Sequence, residues 1–220
     1  LGTTMTASMA YSRLPLGSRM TWIATVAFEE AKGRLKTLYD RVKGPDNNVD
    51  NIMMAHSLRP HSIEGHMHIY KYVLHHSANK VPKWFLEALG VYVSQLNGCA
   101  YCVDHHFEGL VRLLDDRSRA DTMRAALEEE RPEKVFEGSE LAAMRYAWVL
   151  TRDPASMDES LIIAMREAGM DDGRILEVNQ VVSYFSYANR TVLGLGVNTD
   201  GDVIGLSPGD NDDPNNWNHG

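Results

Sequence analysis

Apolar side chains recur every three or four residues along almost the whole chain, and that period suits helices and little else. Phe28, Ala31, Leu35, Leu38, Tyr39 and Val42 share one helical face, and Gly44-Pro45 stops the segment. A short stretch over 51–58 ends before Arg59-Pro60, and a longer helix is predicted from 60 to about 76. Pro82 suits a first helical turn and opens a segment over about 81–96. Asn97-Gly98 breaks it, and the next helix begins at the cysteines and runs to about 114. Further helices read as 119–129, as 139–152 with Ser139 as cap, and as 158–168 closed by Gly169. A long last one, capped by Asp171 or Asp172, reaches about 195. Val181-Val182 and Tyr184-Phe185 form a β-prone patch inside it, but strand-type alternation is absent. The predicted fold class is all-α, a single-domain helical bundle over 21–197.

The flanks differ from this body. Residues 1–20 read as an N-terminal extension, with Leu1-Gly2-Thr3-Thr4 set aside as a cloning remnant. Asp, Asn, Gly and Pro dominate the acidic, Asn-rich stretch 198–220. It is expected to be an exposed tail, unstructured or ordered only against a partner subunit. The formal charge is −8 and no basic run offsets it, which argues against nucleic acid or an anionic membrane as partner. No apolar stretch is long enough to span a bilayer, and the residues from Met5 lack the pattern of a secretory signal. A cytoplasmic location is the expectation, and there a disulfide is more often catalytic than structural.

The chain's two cysteines stand in Asn97-Gly98-Cys99-Ala100-Tyr101-Cys102-Val103-Asp104-His105-His106. A helix turns about 100° per residue, so Cys99, Cys102 and His106 fall on one stripe roughly 60–80° wide. Cys102 and His106 are an i, i+4 pair, while His105 swings farther from Cys99. A helix N-terminus lowers the pKa of a thiol placed there, and this favours the more N-terminal Cys99. If the Asn97-Gly98 break folds two helices together, Glu87 approaches from the preceding one to orient His106 or take its proton. The parts suffice to make a thiolate, oxidise it and move the protons. Two readings stand beside redox chemistry. The cysteines could be small apolar core residues, or they could bind zinc, for which two histidines would have to complete the ligand set.

Glu87, Leu96-Asn97-Gly98, Cys99-Ala100-Tyr101-Cys102 and His106 together resemble the signature of alkylhydroperoxidase AhpD-like proteins, in the carboxymuconolactone decarboxylase superfamily. The spacing Glu-x11-Cys-x2-Cys-x3-His is matched throughout. Tyr101 before the second cysteine, with Tyr184-Phe185, Asn189-Arg190 and Leu195-Gly196-Val197 in the last helix, is similar to the peroxidase-related branch. The resemblance spans about 81–197, with its core at about 81–116. It implies an all-helical AhpD-like bundle that assembles as trimers or hexamers and reduces hydroperoxides with an external dithiol as reductant. It assigns Cys102 as the attacking thiol and Cys99 as the resolving one, with His106 and Glu87 as proton relay and no cofactor or metal. Tyr101 stands where AhpD itself carries a relay histidine. A phenol with pKa about 10 shuttles protons poorly at neutral pH, though it still donates a hydrogen bond.

His56, His61, His66, His68, His75 and His76 crowd one region, with His61, His68 and His75 at seven-residue intervals. They read as a polar helix side or as a ligand-binding face. If that helix packs over the thiols, His66 or His68 borders the pocket, beside Tyr101 and His105. Met53-Met54 would suit an apolar hydroperoxide, and the four tryptophans read as core or interface anchors; Arg190 is either a surface charge or a buried carboxylate partner, and the resemblance favours the second. The function read from the chain is a thiol-dependent peroxidase-like oxidoreductase. The alternatives are a redox-responsive binding or sensor protein and, behind it, a zinc site. The last helix has more apolar residues than one face needs, so a homo-oligomer is expected.

Overall fold

The structure, a computed structural model, describes residues 20–209, 212–213 and 215–220. The expected extension 1–20 therefore lies outside the described residues except for Met20. The α-helices are α1 (Gly33–Val42), α2 (Asn51–Ala55), α3 (Pro60–Leu74), α4 (Lys83–Leu96), α5 (Ala100–Leu114), α6 (Arg117–Glu128), α7 (Gly138–Arg152), α8 (Glu159–Glu167) and α9 (Asp172–Leu195). Among the described residues there is no strand, only one isolated bridge between Pro208 and His219. No helix in this range is long and apolar enough to cross a membrane.

α4 is the centre. Phe85, Leu86, Ala88, Leu89, Val91, Tyr92, Val93 and Leu96 are all buried, so the helix is apolar around its circumference. α5, α6, α7 and α9 pack around it. Gly90 lets α9 come close, since a Cβ there would lie 2.2 Å from Phe185 Cζ. The β-prone patch in α9 stays helical because Val181, Val182, Tyr184 and Phe185 are buried against neighbouring helices.

Local signals set most of the ends. Asp116, Asp158 and Asp171 each accept a hydrogen bond from a backbone N–H of the turn they cap. Three expectations are corrected. The first helix is interrupted: Phe28–Glu30 is a separate 3-10 turn, and α1 starts only at Gly33. Ser139 is no cap, since α7 already begins at Gly138 after Glu137.

The C-terminal stretch is the third correction, because it packs on its own chain. Trp217 is fully buried, with the Arg41 guanidinium 3.6 Å over its ring and His68 edge-on at 5.0 Å. Arg112 donates to the Gly205 carbonyl and to Ser207 Oγ, both at 2.8 Å, and Lys71 Nζ donates to the Gly209 carbonyl. Composition hides these anchors: one buried indole, Leu206 and a few hydrogen bonds hold a segment that is polar on average.

Candidate functional site

The turn between α4 and α5 builds the thiol site. Asn97 ends α4, and Gly98 takes φ +71°, a left-handed conformation that glycine adopts without strain. The Gly98 N–H then bonds the Gln95 carbonyl at 3.0 Å and the Cys99 N–H bonds the Ser94 carbonyl at 2.8 Å, a paired C-cap. This cap leaves Cys99 as the N-cap of α5 and Cys102 in its first turn. Both thiols are free and buried.

The two thiols titrate as an interacting pair. Donation from Cys102, supported by its backbone N–H and by the Asn189 amide, outweighs burial and holds the Cys99 thiol below its ordinary pKa. Burial, together with the bond and charge of Cys99, pushes the Cys102 thiol well up despite the same amide. The pair thus loses its first proton readily and its second only with help. Asn189, buried on α9, is fixed from two sides: it donates to Ser94 Oγ at 3.0 Å and accepts from Asn97 Nδ2 at 3.0 Å. Sequence reasoning noticed Asn189-Arg190 but gave Asn189 no role. Arg190 itself is exposed and donates to the Ser186 carbonyl, so the expected buried carboxylate partnership is absent.

His106 lies one turn beyond Cys102 on α5, and its Nδ1 is 2.7 Å from Oε2 of Glu87 on α4. Burial would raise the Glu87 carboxyl, but the charge and hydrogen bond of His106, with His75 and Lys83 farther off, hold it below the usual carboxylate range. Phe185 stands edge-on to the His106 ring at 4.5 Å and fixes its plane.

Cys102, His106 and Glu87 line a cavity of about 40 Å³. Tyr101, His105 and His66 join them there, as do Asp50, Tyr184 and His219. Cys99 lies behind this lining, and His68 is outside it, stacked on Tyr72 and against Trp217. Met53 reaches the cavity and Met54 does not. Tyr101 makes no contact with the relay: its hydroxyl donates to Asp202 Oδ2 at 2.8 Å and accepts from the Ile52 N–H at 3.2 Å. Burial between Asp50 and Asp202 pushes this phenol well above its usual pKa, so it stays a donor.

Asp50, His219 and His66 were invisible as site residues or had only a conditional place there. Burial raises Asp50 to about 7, and it lowers His219 to about 4 and His66 to about 3, so both rings stay neutral. The seven-residue histidine repeat does not form a ligand face. His75 is buried against Tyr70, and His68 supports Trp217. Among the described residues no group of three or more His, Cys, Asp and Glu side chains is arranged to hold a metal ion.

No family model matches the chain, and no curated protein matches it in sequence. Solved structures do match in fold. An uncharacterized peroxidase-related protein with an AhpD core, from Ralstonia eutropha JMP134, superposes with a TM-score of 0.68 at 17% identity, over 82% of this chain and 93% of its own. An uncharacterized peroxidase-related protein from Silicibacter sp. TM1040 gives 0.61 at 20% identity, over 70% and 80%. The debrominase Bmp8, in complex with 2,3,4-tribromopyrrole, gives 0.64 at 15% identity, over 83% and 92%. The chain has the AhpD-like all-helical fold of peroxidase-related proteins.

Proposed function

We propose that this protein is a thiol-dependent peroxidase-like oxidoreductase working through a Cys99–Cys102 disulfide cycle. One observation carries the reading: Cys102 and the Glu87–His106 pair line the same cavity, while Cys99 is buried outside that lining. Access therefore favours Cys102 as the attacking sulfur, although Cys99 is the more acidic thiol. His106, held by Glu87, takes the Cys102 proton as the hydroperoxide enters. The Cys102 sulfur bonds to one peroxide oxygen, the O–O bond breaks, and the leaving oxygen takes the proton back from His106. Cys99 then attacks the Cys102 sulfenic acid, an S–S bond forms and water leaves. An external dithiol supplies the two electrons and two protons that reopen the disulfide. No metal or cofactor takes part, and the proposed setting is a cytoplasmic homo-oligomer, trimer or hexamer. Leu176, Tyr187 and Leu193 leave apolar surface on α9 that suits such an assembly.

Peroxide consumption with dithiol reductants, measured for the wild type, Cys102→Ser and Cys99→Ser, tests the cycle. Both variants should lose turnover, and equal rates in all three sink the proposal.

A second reading is a redox-responsive binding or sensor protein, favoured by the burial that keeps Cys102 protonated and by the small cavity. Negligible turnover together with an oligomeric state that follows the thiol redox state would support it. The debrominase among the similar structures shows that this fold also hosts chemistry other than peroxide reduction.

A further inference from the structure

The cavity beside Cys102 is narrowed by the chain's own C-terminal residues. Gly205, Leu206, Ser207 and His219 form its roof. The roof lies flat on α5: Gly205 takes φ +85°, and a Cβ there would come within 2.7 Å of Glu108 Cβ. Leu206 is wedged so close to Gly44 that a Cβ on that glycine would lie 2.7 Å from Leu206 Cδ1. The segment closes on itself through the Pro208–His219 bridge and the Gly220 N–H to Ser207 carbonyl bond of 3.2 Å.

Its latch is Tyr101, the residue inside the cysteine motif. The Tyr101 hydroxyl donates to Asp202 Oδ2 at 2.8 Å, and Asp202 Oδ1 accepts from the Asn51 N–H at 2.9 Å. The tail is thus tied to the thiol helix one residue from Cys102. The cavity of about 40 Å³ has room for a few water-sized molecules at ~10–15 Å³ each, and is far below the ~150 Å³ of a cavity that admits benzene. The lining is polar where it matters: His66 Nδ1 is buried without a hydrogen-bond partner, and His105 Nε2 lies 3.3 Å from Asp202 Oδ2. A small polar guest would satisfy His66 Nδ1, and an alkyl or aryl group would not.

We propose that residues 202–207 together with His219, latched on Tyr101, are the size filter of the thiol cavity and restrict it to guests as small as hydrogen peroxide. This rests on the peroxidase reading for the identity of the substrate, but the filter can be read without turnover.

In full-length Cys99→Ser protein, Cys102 is the one thiol left. Its modification by methyl methanethiosulfonate (the sulfur takes the methylthio group and methanesulfinate leaves) is compared with exchange by dipyridyl disulfide, each relative to free cysteine. The small reagent should be favoured by about tenfold or more, the scale of steric discrimination by a narrow pocket. Leu206→Ala, which opens the roof, and Tyr101→Phe, which releases the latch, should each narrow that preference; either suffices if the other fails to fold. In protein with both cysteines, hydrogen peroxide should likewise be preferred over cumene hydroperoxide. Equal relative rates for the two thiol reagents, or a preference unchanged in the folded variants, overturn the filter. Failure to consume either peroxide, with the reagent preference intact, overturns the peroxidase reading and supports the filter.

Discussion

Glu87 Oε2 lies 2.7 Å from His106 Nδ1, and this contact joins α4 to α5 at the floor of the thiol cavity. The carboxylate is 2% exposed, so bulk solvent does not compete with the imidazole as its partner. The pair fixes which ring nitrogen is left for Cys102, since Nδ1 is committed to Glu87. Glu87→Gln keeps the shape but removes the charge that stabilises a protonated His106. Turnover should fall by about 10²-fold or more, the usual contribution of a positioned acid–base group. Steady-state kinetics and the pH profile of kcat/KM check this. A profile identical to the wild type's would exclude the carboxylate from the relay.

Asn189 is the second lever on the thiols. Its amide favours the charged form of both cysteines, and it is the shared partner of Ser94 and Asn97. Asn189→Leu should raise the lower thiol pKa, read from thiolate absorbance during pH titration. It should also cost about 1–3 kcal/mol, because Ser94 and Asn97 lose a buried partner. An unshifted thiolate titration would leave Asn189 with a structural role alone.

Stability should depend on pH through three buried groups. The folded pKa values of His66 and His219, about 3 and about 4, lie below the unfolded value near 6.5, so each contribution is lost as pH falls. Asp50, near 7 in the fold, works the other way, and its contribution fades as pH rises from about 4 to about 7. Between about 4 and 6.5 the unfolded chain holds two extra histidine protons and lacks one aspartic proton. The net of one proton makes stability drop by about 1.4 kcal/mol per pH unit on acidification. Urea midpoints across that range measure the slope, and His66→Gln should bring it close to zero. A flat wild-type profile would contradict the assignment.

The helices and the cysteine motif were legible because each is a local pattern. Periodicity marks α4 and α5, Gly98 marks the break, and fixed spacing brings Glu87 to His106. Asn189 was not legible as a thiol partner, since its contact with Cys99 crosses ninety positions of chain and has no local signature. The tail misled for a different reason. Its mean composition is that of an exposed strand of chain, whereas its docking depends on Leu206, Trp217 and one carboxylate, Asp202. A lone tryptophan in a polar segment was the available signal, and it fits an anchor better than a disordered end. His66 showed the limit of counting: the seven-residue repeat singled out its neighbours, but burial against Tyr184 and Tyr70 puts His66 at the site.

Gly90→Ala separates helix propensity from packing. In an exposed helix the change would gain about 0.5–1 kcal/mol, because alanine loses less backbone entropy. Here the new Cβ would lie 2.2 Å from Phe185 Cζ, far inside contact distance, and Phe185 is fully buried. Overpacking of about 1–3 kcal/mol outweighs the propensity gain, so the variant should be less stable. The displaced ring is also the one edge-on to His106 at 4.5 Å, so turnover should fall together with stability. Adding Phe185→Leu removes the clash and should restore much of the stability while leaving His106 without its ring support. Thermal midpoints and turnover of the single and double variants decide the matter. If Gly90→Ala alone proves more stable than the wild type, α4 and α9 do not approach as closely as described.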